Sequence, residues 1–331
     1  MKKVLFVAVD GGPIEVMGSL LKEVEGDLLQ GVQEGISLNH TLIQYDTIVV
    51  GTSGSRLGRE LEFATRIVAK KLLMPLIVIE DYIGNYKSLK AGKPDILLVD
   101  SEESKLMYQK QLERECPQIE VVNNPRYDEL RINMQQYRLK IQAIQQDIQQ
   151  QSVLWVGQPE TEDAVATLTQ IIPILKEKNI PIYFKAHPRD TGYHQGIYGN
   201  IFKQYGMVYQ DVTDCSLDSI LTDMSPQLLL TQFSSMAIEA GFYGIPAVHV
   251  LFETIGQKRL FEDKGYTVPP HCNLGASWVV TNTHAFKQGI ESLFFDAVLR
   301  DKVIEAFDKH FGLMRTSEEI KAIILTTKHK E

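Results

Sequence analysis

Short, mainly apolar runs alternate along this chain with longer stretches in which apolar positions recur every three or four residues. In the first half the runs are Val4–Val9, Thr47–Val50, Pro75–Ile79, Ile96–Val99 and Ile119–Val122. In the second half they are Val153–Val156, Pro181–Lys185, Met207–Tyr209, Leu228–Thr231 and Ala247–Leu251. They are rich in Val, Ile and Leu, as strands are when helices cover both faces of a parallel sheet. The alternation predicts repeated βαβ units and an α/β fold. Two Rossmann-like domains are expected, 1–150 and 151–331. No short-period repeat suggests a solenoid.

Between the halves lies a glutamine-rich stretch in which Leu130, Met134, Tyr137, Ile141, Ile144 and Ile148 are spaced 4, 3, 4, 3 and 4. That spacing puts one apolar seam on one face of a helix. A helix packed on its own domain explains it. A dimer-forming coiled coil is the sharper alternative, but the seam is short for one. The domain boundary is placed at its end, near Gln151. Thr316–Lys328 opens Thr-Ser-Glu-Glu, which predicts a final helix.

Composition narrows the class. The chain has 331 residues, 44% hydrophobic and 23% charged, enough for two cored domains. No run of about 18 apolar residues is present, and the apolar start is too short for a signal-peptide core. Cys116, Cys215 and Cys272 are odd in number and widely spaced, with neither a metal pattern nor a disulfide framework. A cytoplasmic location is expected. The net charge of -8 argues against nucleic-acid binding but leaves an anionic small ligand open.

Ligands of parallel sheets bind beyond the carboxyl ends of the strands, so the residues just after each run carry the chemistry. After the first run comes Asp10-Gly11-Gly12-Pro13, where paired glycines allow a tight turn and Asp10 or Glu15 is a candidate base; a plain turn explains the same residues. No dinucleotide or P-loop glycine fingerprint is present. Thr52 and Ser53, in a Gly-Thr-Ser-Gly-Ser-Arg stretch, suit an anion or a sugar hydroxyl, or a flexible connection. Glu80-Asp81 stands at the end of the third run as a base or as turn acids. The strongest local signal is Lys185-Ala186-His187-Pro188-Arg189, three cationic side-chain types within five residues. An imidazole there can assist a leaving group, and Arg189 can fork onto phosphate oxygens. Ser234 and Ser235 read as the N-cap of a helix whose amides face an anion, with Glu239 one turn on. Gln158, after the first run of the second half, faces the same region. His187, Arg189 and the Ser234-Ser235 helix start are expected to converge on one diphosphate.

KAHPR, followed about 45 residues later by FSSMAIEAGFYGIPAV, resembles the His-Pro and paired-hydroxyl motifs of bacterial polysialyltransferases and CDP-glycerol glycerophosphotransferases. These belong to the larger set of GT-B glycosyltransferase-like proteins. VVNNPRYDEL is similar to the GNPR(Y/F)D segment of related polysaccharide-synthesis proteins, with Asn123 where glycine is usual, and the stretch from Glu62 to PLIVIEDYIGNY also resembles that family's layout. The resemblance implies two Rossmann domains facing across a cleft. It implies a C-terminal domain that holds a nucleotide-activated donor (UDP-, CDP- or CMP-linked), and an N-terminal acceptor domain that supplies the base. It makes His187 the residue at the donor phosphate or leaving group, Ser234 and Ser235 the phosphate or carboxylate holders, and Asp10, Glu15 or Asp81 the base. A metal-independent glycosyltransferase is expected, with no cofactor and a glycan or lipid-linked acceptor; the lack of an Asp-x-Asp sequence suits this. Peripheral membrane association and a homodimer stay open. A sugar-nucleotide 2-epimerase and a non-catalytic nucleotide-sugar-binding protein are the alternatives.

Overall fold

The computed structural model describes residues 2–31, 37–89, 92–122, 124–147, 151–312 and 317–328, with 146 and 147 described by backbone alone. Asn123, Ile148 and Thr316 of the sequence reading lie outside the described residues. Twelve strands among these residues form two six-stranded sheets, every pairing parallel. The first holds β1 (Val4–Val7), β2 (Gly26–Leu29), β3 (Thr47–Val50), β4 (Leu76–Ile79), β5 (Ile96–Val99) and β6 (Gln118–Val121), in the order β2-β1-β3-β4-β5-β6. The second holds β7 (Val153–Val156), β8 (Ile182–Lys185), β9 (Tyr209–Asp211), β10 (Leu228–Thr231), β11 (Ala247–Val250) and β12 (Trp278–Val280), in the order β12-β11-β10-β7-β8-β9. The α/β class is as expected.

The apolar runs are continuous because both sheet faces are covered. In β1, Val4 and Phe6 pack with Val16, Met17 and Leu20 of the helix Gly11–Leu21. Leu5 and Val7 pack on the other face with Leu42, Leu61 and Ala69. The second sheet repeats this, with Val153 and Trp155 in one cluster and Leu154 and Val156 in another.

Two compact units emerge, one from Met1–Glu129 with Leu313–Glu331, the other from Leu130–Gly312. The division falls between Glu129 and Leu130, in the first turn of the glutamine-rich helix Asp128–Asp147. Its Leu130, Tyr137 and Ile141 join Ala240, Tyr243 and Ile245 of the second unit, and Tyr137 stacks on Tyr243 with centroids 4.5 Å apart. Arg138 forks onto Asp308 at 2.7 and 2.6 Å and donates to the Gly241 carbonyl at 2.8 Å. The last helix, Ser317–Thr326, returns to the first unit, where Ile320 and Ile324 are fully buried beside Val16 and Met17. Lys2 Nζ donates to the Thr327 carbonyl. No helix among the described residues is long and apolar enough to cross a membrane.

Candidate functional site

Each sheet reverses its winding at its first strand: between β1 and β3 in the first unit, and between β7 and β10 in the second. At such a switch point the flanking loops part and leave a crevice at the carboxyl ends.

In the second unit, three strand ends are tied together there. The Gly157 amide donates to the Lys185 carbonyl at 2.8 Å, and a Cβ at Gly157 would lie 3.4 Å from the His187 nitrogen. Gln158, buried, donates through Nε2 to Thr231 Oγ1 at 3.3 Å. That hydroxyl donates to the Val156 carbonyl and also accepts from the Ser234 amide. One threonine thus links the loops after β7 and β10, while the glycine seats the His187 loop against β7. The loops bearing His187 and Ser234 flank β7 at the same end of the sheet.

His187 is not a cation here. Its Nδ1 accepts from the Arg189 amide at 3.1 Å, so the ring proton sits on Nε2. Burial, and then the Arg189 charge, push its pKa down to about 4. The residue is a neutral N–H donor. The loop turns sharply because Asp190, fully buried, accepts from the Gly192 amide, the Thr161 hydroxyl and the Tyr198 hydroxyl. Arg189 is exposed beside it. Lys185 is placed differently from expectation. Its ammonium donates to the carbonyls of Thr213 and Cys215 at 2.8 and 2.7 Å, securing the loop after β9. Tyr183 and Lys185 share one face of β8, opposite the face that buries Ile182 and Phe184, and this carries Lys185 toward that loop.

The serine pair is also refined. Ser234 Oγ accepts from the Met236 amide at 3.3 Å, whereas Ser235, at the N-cap position, makes no side-chain cap. The helix Met236–Phe242 has seven residues, so its macrodipole contributes little; the donors here are individual amides and hydroxyls. Glu239 is half-buried on that helix; burial and the bond to Asp218 raise the Tyr243 pKa, and the Glu239 charge adds to them.

In the first unit the strand ends carry carboxylates. Asp10 does not cap the helix Gly11–Leu21; it accepts from the Ser55 hydroxyl and amide at 2.5 and 2.7 Å and so holds the loop after β3. Ser53 gives both its amide and its hydroxyl to Glu62, at 2.7 and 2.6 Å. Thr52 donates to Asp81 Oδ1 at 2.6 Å, as does Asn85 at 2.8 Å. The polar groups of Thr52 and Ser53 are thus engaged by acids. Asp81 Oδ2 is turned to the Gly12 turn, where a Cβ would come within 2.6 Å of it and 3.6 Å from Arg126 Nη1. Gly11 has open space around its missing Cβ. Glu15 is mostly exposed and pairs with Arg126.

Sequence reasoning passed over Glu62 as a site residue. It lies on the helix Arg56–Lys71, not after a strand, and is 2% exposed. Burial raises its pKa to about 7, and the Asp81 and Asp10 charges add to this against the Ser53 bonds. The acid–hydroxyl periodicity gives no hint of it, because Ser53 and Glu62 meet across a loop and two helical turns. Glu80, taken with Asp81 as a pair, separates from it: it points inward, accepts from the Tyr86 amide and the Tyr108 hydroxyl, and is pushed up to about 8 by burial and by Asp100.

No family model matches the sequence, and no curated protein matches it in sequence. Solved structures match along the whole chain. A UDP-GlcNAc 2-epimerase from Neisseria meningitidis, bound to UDP-GlcNAc, has a TM-score of 0.61 at 15% identity, covering 98% of this chain and 99% of that one. MurG from Acinetobacter baumannii gives 0.59 at 11%, covering 99% and 100%. A glycosyltransferase from Rickettsia africae gives 0.61 at 13%, covering 98% and 99%. The fold is therefore GT-B-like.

Proposed function

We propose that this chain is a glycosyltransferase that takes a sugar or related group from a UDP-, CDP- or CMP-linked donor and passes it to a glycan or lipid-linked acceptor in surface polysaccharide synthesis, in the cytoplasm. The second unit holds the donor; the first holds the acceptor and the base. One observation carries the reading: the loops of His187 and Ser234 flank the β7 loop at a switch point. Strands one apart from a shared neighbour lie about 10 Å from each other, so both loops can meet one phosphate-bearing group. The fold is shared with proteins whose structures hold UDP-sugars. The motif resemblance to polysialyltransferases and CDP-glycerol glycerophosphotransferases points the same way.

In this reading His187 Nε2–H donates to a phosphate oxygen of the departing nucleotide, and Arg189 and the Ser234 hydroxyl meet further oxygens. The acceptor hydroxyl attacks the anomeric carbon and gives its proton to Asp81, the bond to the phosphate oxygen breaks, and the nucleotide leaves with the bonding pair. Asp81 is taken as the base because, while its Oδ1 accepts from Thr52 and Asn85, its Oδ2 is turned to the Gly12 turn. The test is a thermal-shift panel of UDP, CDP and CMP followed by a transfer assay. At about 100-fold excess over Kd, a bound nucleotide adds about 2.7 kcal/mol and raises Tm. No shift with any of the three overturns the reading.

A 2-epimerase is the second reading, favoured by the three carboxylates Asp10, Glu62 and Asp81 gathered at one switch point, an arrangement suited to moving a proton on a sugar carbon. A nucleotide-sugar converted to an isomer without acceptor decides for it.

A further inference from the structure

Beside the β10 loop lies a cluster that neither reading uses. His249 is in β11; His271 and Cys272 are adjacent on the short helix Pro270–Asn273. The two imidazoles are 0% and 1% exposed. Their Nε2 atoms are 3.2 Å apart, and one donor atom from each of His249, His271 and Cys272 lies within 4.8 Å of the others.

The proton positions make this arrangement costly for the three side chains by themselves. His249 Nδ1 faces the Gln232 carbonyl at 2.9 Å. A carbonyl accepts, so the His249 proton is on Nδ1 and its Nε2 offers a lone pair toward His271. If His271 Nε2–H answers it, His271 Nδ1 is left as a bare acceptor, and that atom is buried with no hydrogen-bond partner. Two imidazoles and a thiol are then desolvated for a single hydrogen bond among them. A cation removes the difficulty at Nε2, because both lone pairs can point at it. At Zn–N distances near 2.0–2.1 Å, two nitrogens of a tetrahedral set stand about 3.3 Å apart, close to the separation seen. A metal-bound histidine ordinarily gives its other N–H to a carbonyl or carboxylate, as His249 does to Gln232.

We propose that His249 Nε2, His271 Nε2 and the Cys272 thiolate form a structural site for a divalent transition ion of the zinc class. Two imidazoles and a thiolate suit Zn²⁺ and do not suit Mg²⁺ or Ca²⁺. Binding transfers the Cys272 proton to solvent, forms the sulfur–metal bond and leaves the oxidation states unchanged. Three protein ligands leave the fourth tetrahedral position to water. The ion joins β11 to the helix Pro270–Asn273 and, through His249 Nδ1–H, fixes the Gln232 carbonyl two residues before Ser234. Its role is to hold that loop, and it takes no part in the transfer step.

The experiment uses the full chain with Cys116→Ser and Cys215→Ser, which leaves Cys272 as the one thiol. It is produced with Zn²⁺ or with Co²⁺ in the medium and purified without chelator. Expected are close to one equivalent of zinc per chain by elemental analysis and, in the cobalt form, visible bands of tetrahedral Co²⁺ with a near-ultraviolet thiolate-to-cobalt transition. Adding Cys272→Ser removes that transition. Less than a tenth of an equivalent of any transition metal, or a cobalt form without the thiolate transition, overturns the proposal. The two-substitution protein decides the matter even if the third substitution does not fold, and neither readout depends on nucleotide binding or turnover.

Discussion

The backbone amide of Arg189 donates to Nδ1 of His187 at 3.1 Å, and this one bond sets the chemistry of the loop after β8. It fixes the tautomer, keeps the ring oriented and leaves Nε2–H as the outward donor. With its pKa near 4, His187 stays neutral through the range where an ordinary histidine titrates.

A pH dependence of stability follows. Between about pH 6.5 and pH 4 the unfolded chain binds a proton at this position and the folded chain does not, so stability falls as pH falls through that window. His187→Gln removes this component, and its urea midpoint declines less steeply over the same window. Turnover of His187→Ala is expected to drop by about 10² or more at neutral pH; a change within twofold takes His187 out of the mechanism.

Glu62 has the opposite sign. Its folded pKa is raised to about 7, so the stability tied to its protonated form is full below the ordinary carboxylate range and lost as pH rises through about 7. Glu62→Gln keeps an acceptor for the Ser53 amide, and its Nε2 can donate to Ser53 Oγ. Its stability therefore declines less than wild type between about pH 4.5 and pH 7, read from denaturant midpoints. A parallel decline in both proteins contradicts the raised pKa.

Gly12→Ala tests Asp81 without touching it. The new Cβ would stand 2.6 Å from Asp81 Oδ2, so the carboxylate must move. A displacement of that size at a reacting group costs about 10²-fold in rate. Expected is a fall in kcat with nucleotide affinity unchanged; equal kcat in both proteins removes Asp81 as the base.

Lys185→Met separates the two roles considered for that lysine. With its ammonium bound to the Thr213 and Cys215 carbonyls, its loss should loosen the loop after β9. Faster proteolytic cleavage near residues 213–215 is expected, with nucleotide Kd changed by less than about threefold. A large loss of affinity with an intact loop would return Lys185 to the phosphate.

All ten apolar runs overlap strands: burial on both faces writes β1, β3, β4, β5, β7, β10 and β11 into every position, whereas β9, exposed throughout, shares only Tyr209 with its run. β2 and β12 escaped notice since they are sheet edges: Gly26–Leu29 carries an exposed Asp27, and Trp278–Val280 spans three residues. The residues after each strand were legible as a set, since the winding of the sheet places them. Their pairings were not. That Lys185 turns to carbonyls, that Asp10 serves Ser55, and that Ser53 reaches a helical Glu62 depend on loop paths that no periodicity encodes. His249, His271 and Cys272 were missed because 21 residues separate the two histidines, a spacing with no local signature.

Ile320 and Ile324 close the core around Val16 and Met17 from the far end of the chain. The first unit is therefore discontinuous in sequence, and a chain cut before residue 317 keeps every element of the second unit but lacks the helix that covers this part of the first. In such a chain the apolar side chains of the helix Gly11–Leu21 would lose that cover and lie open to chaperones and to stray partners.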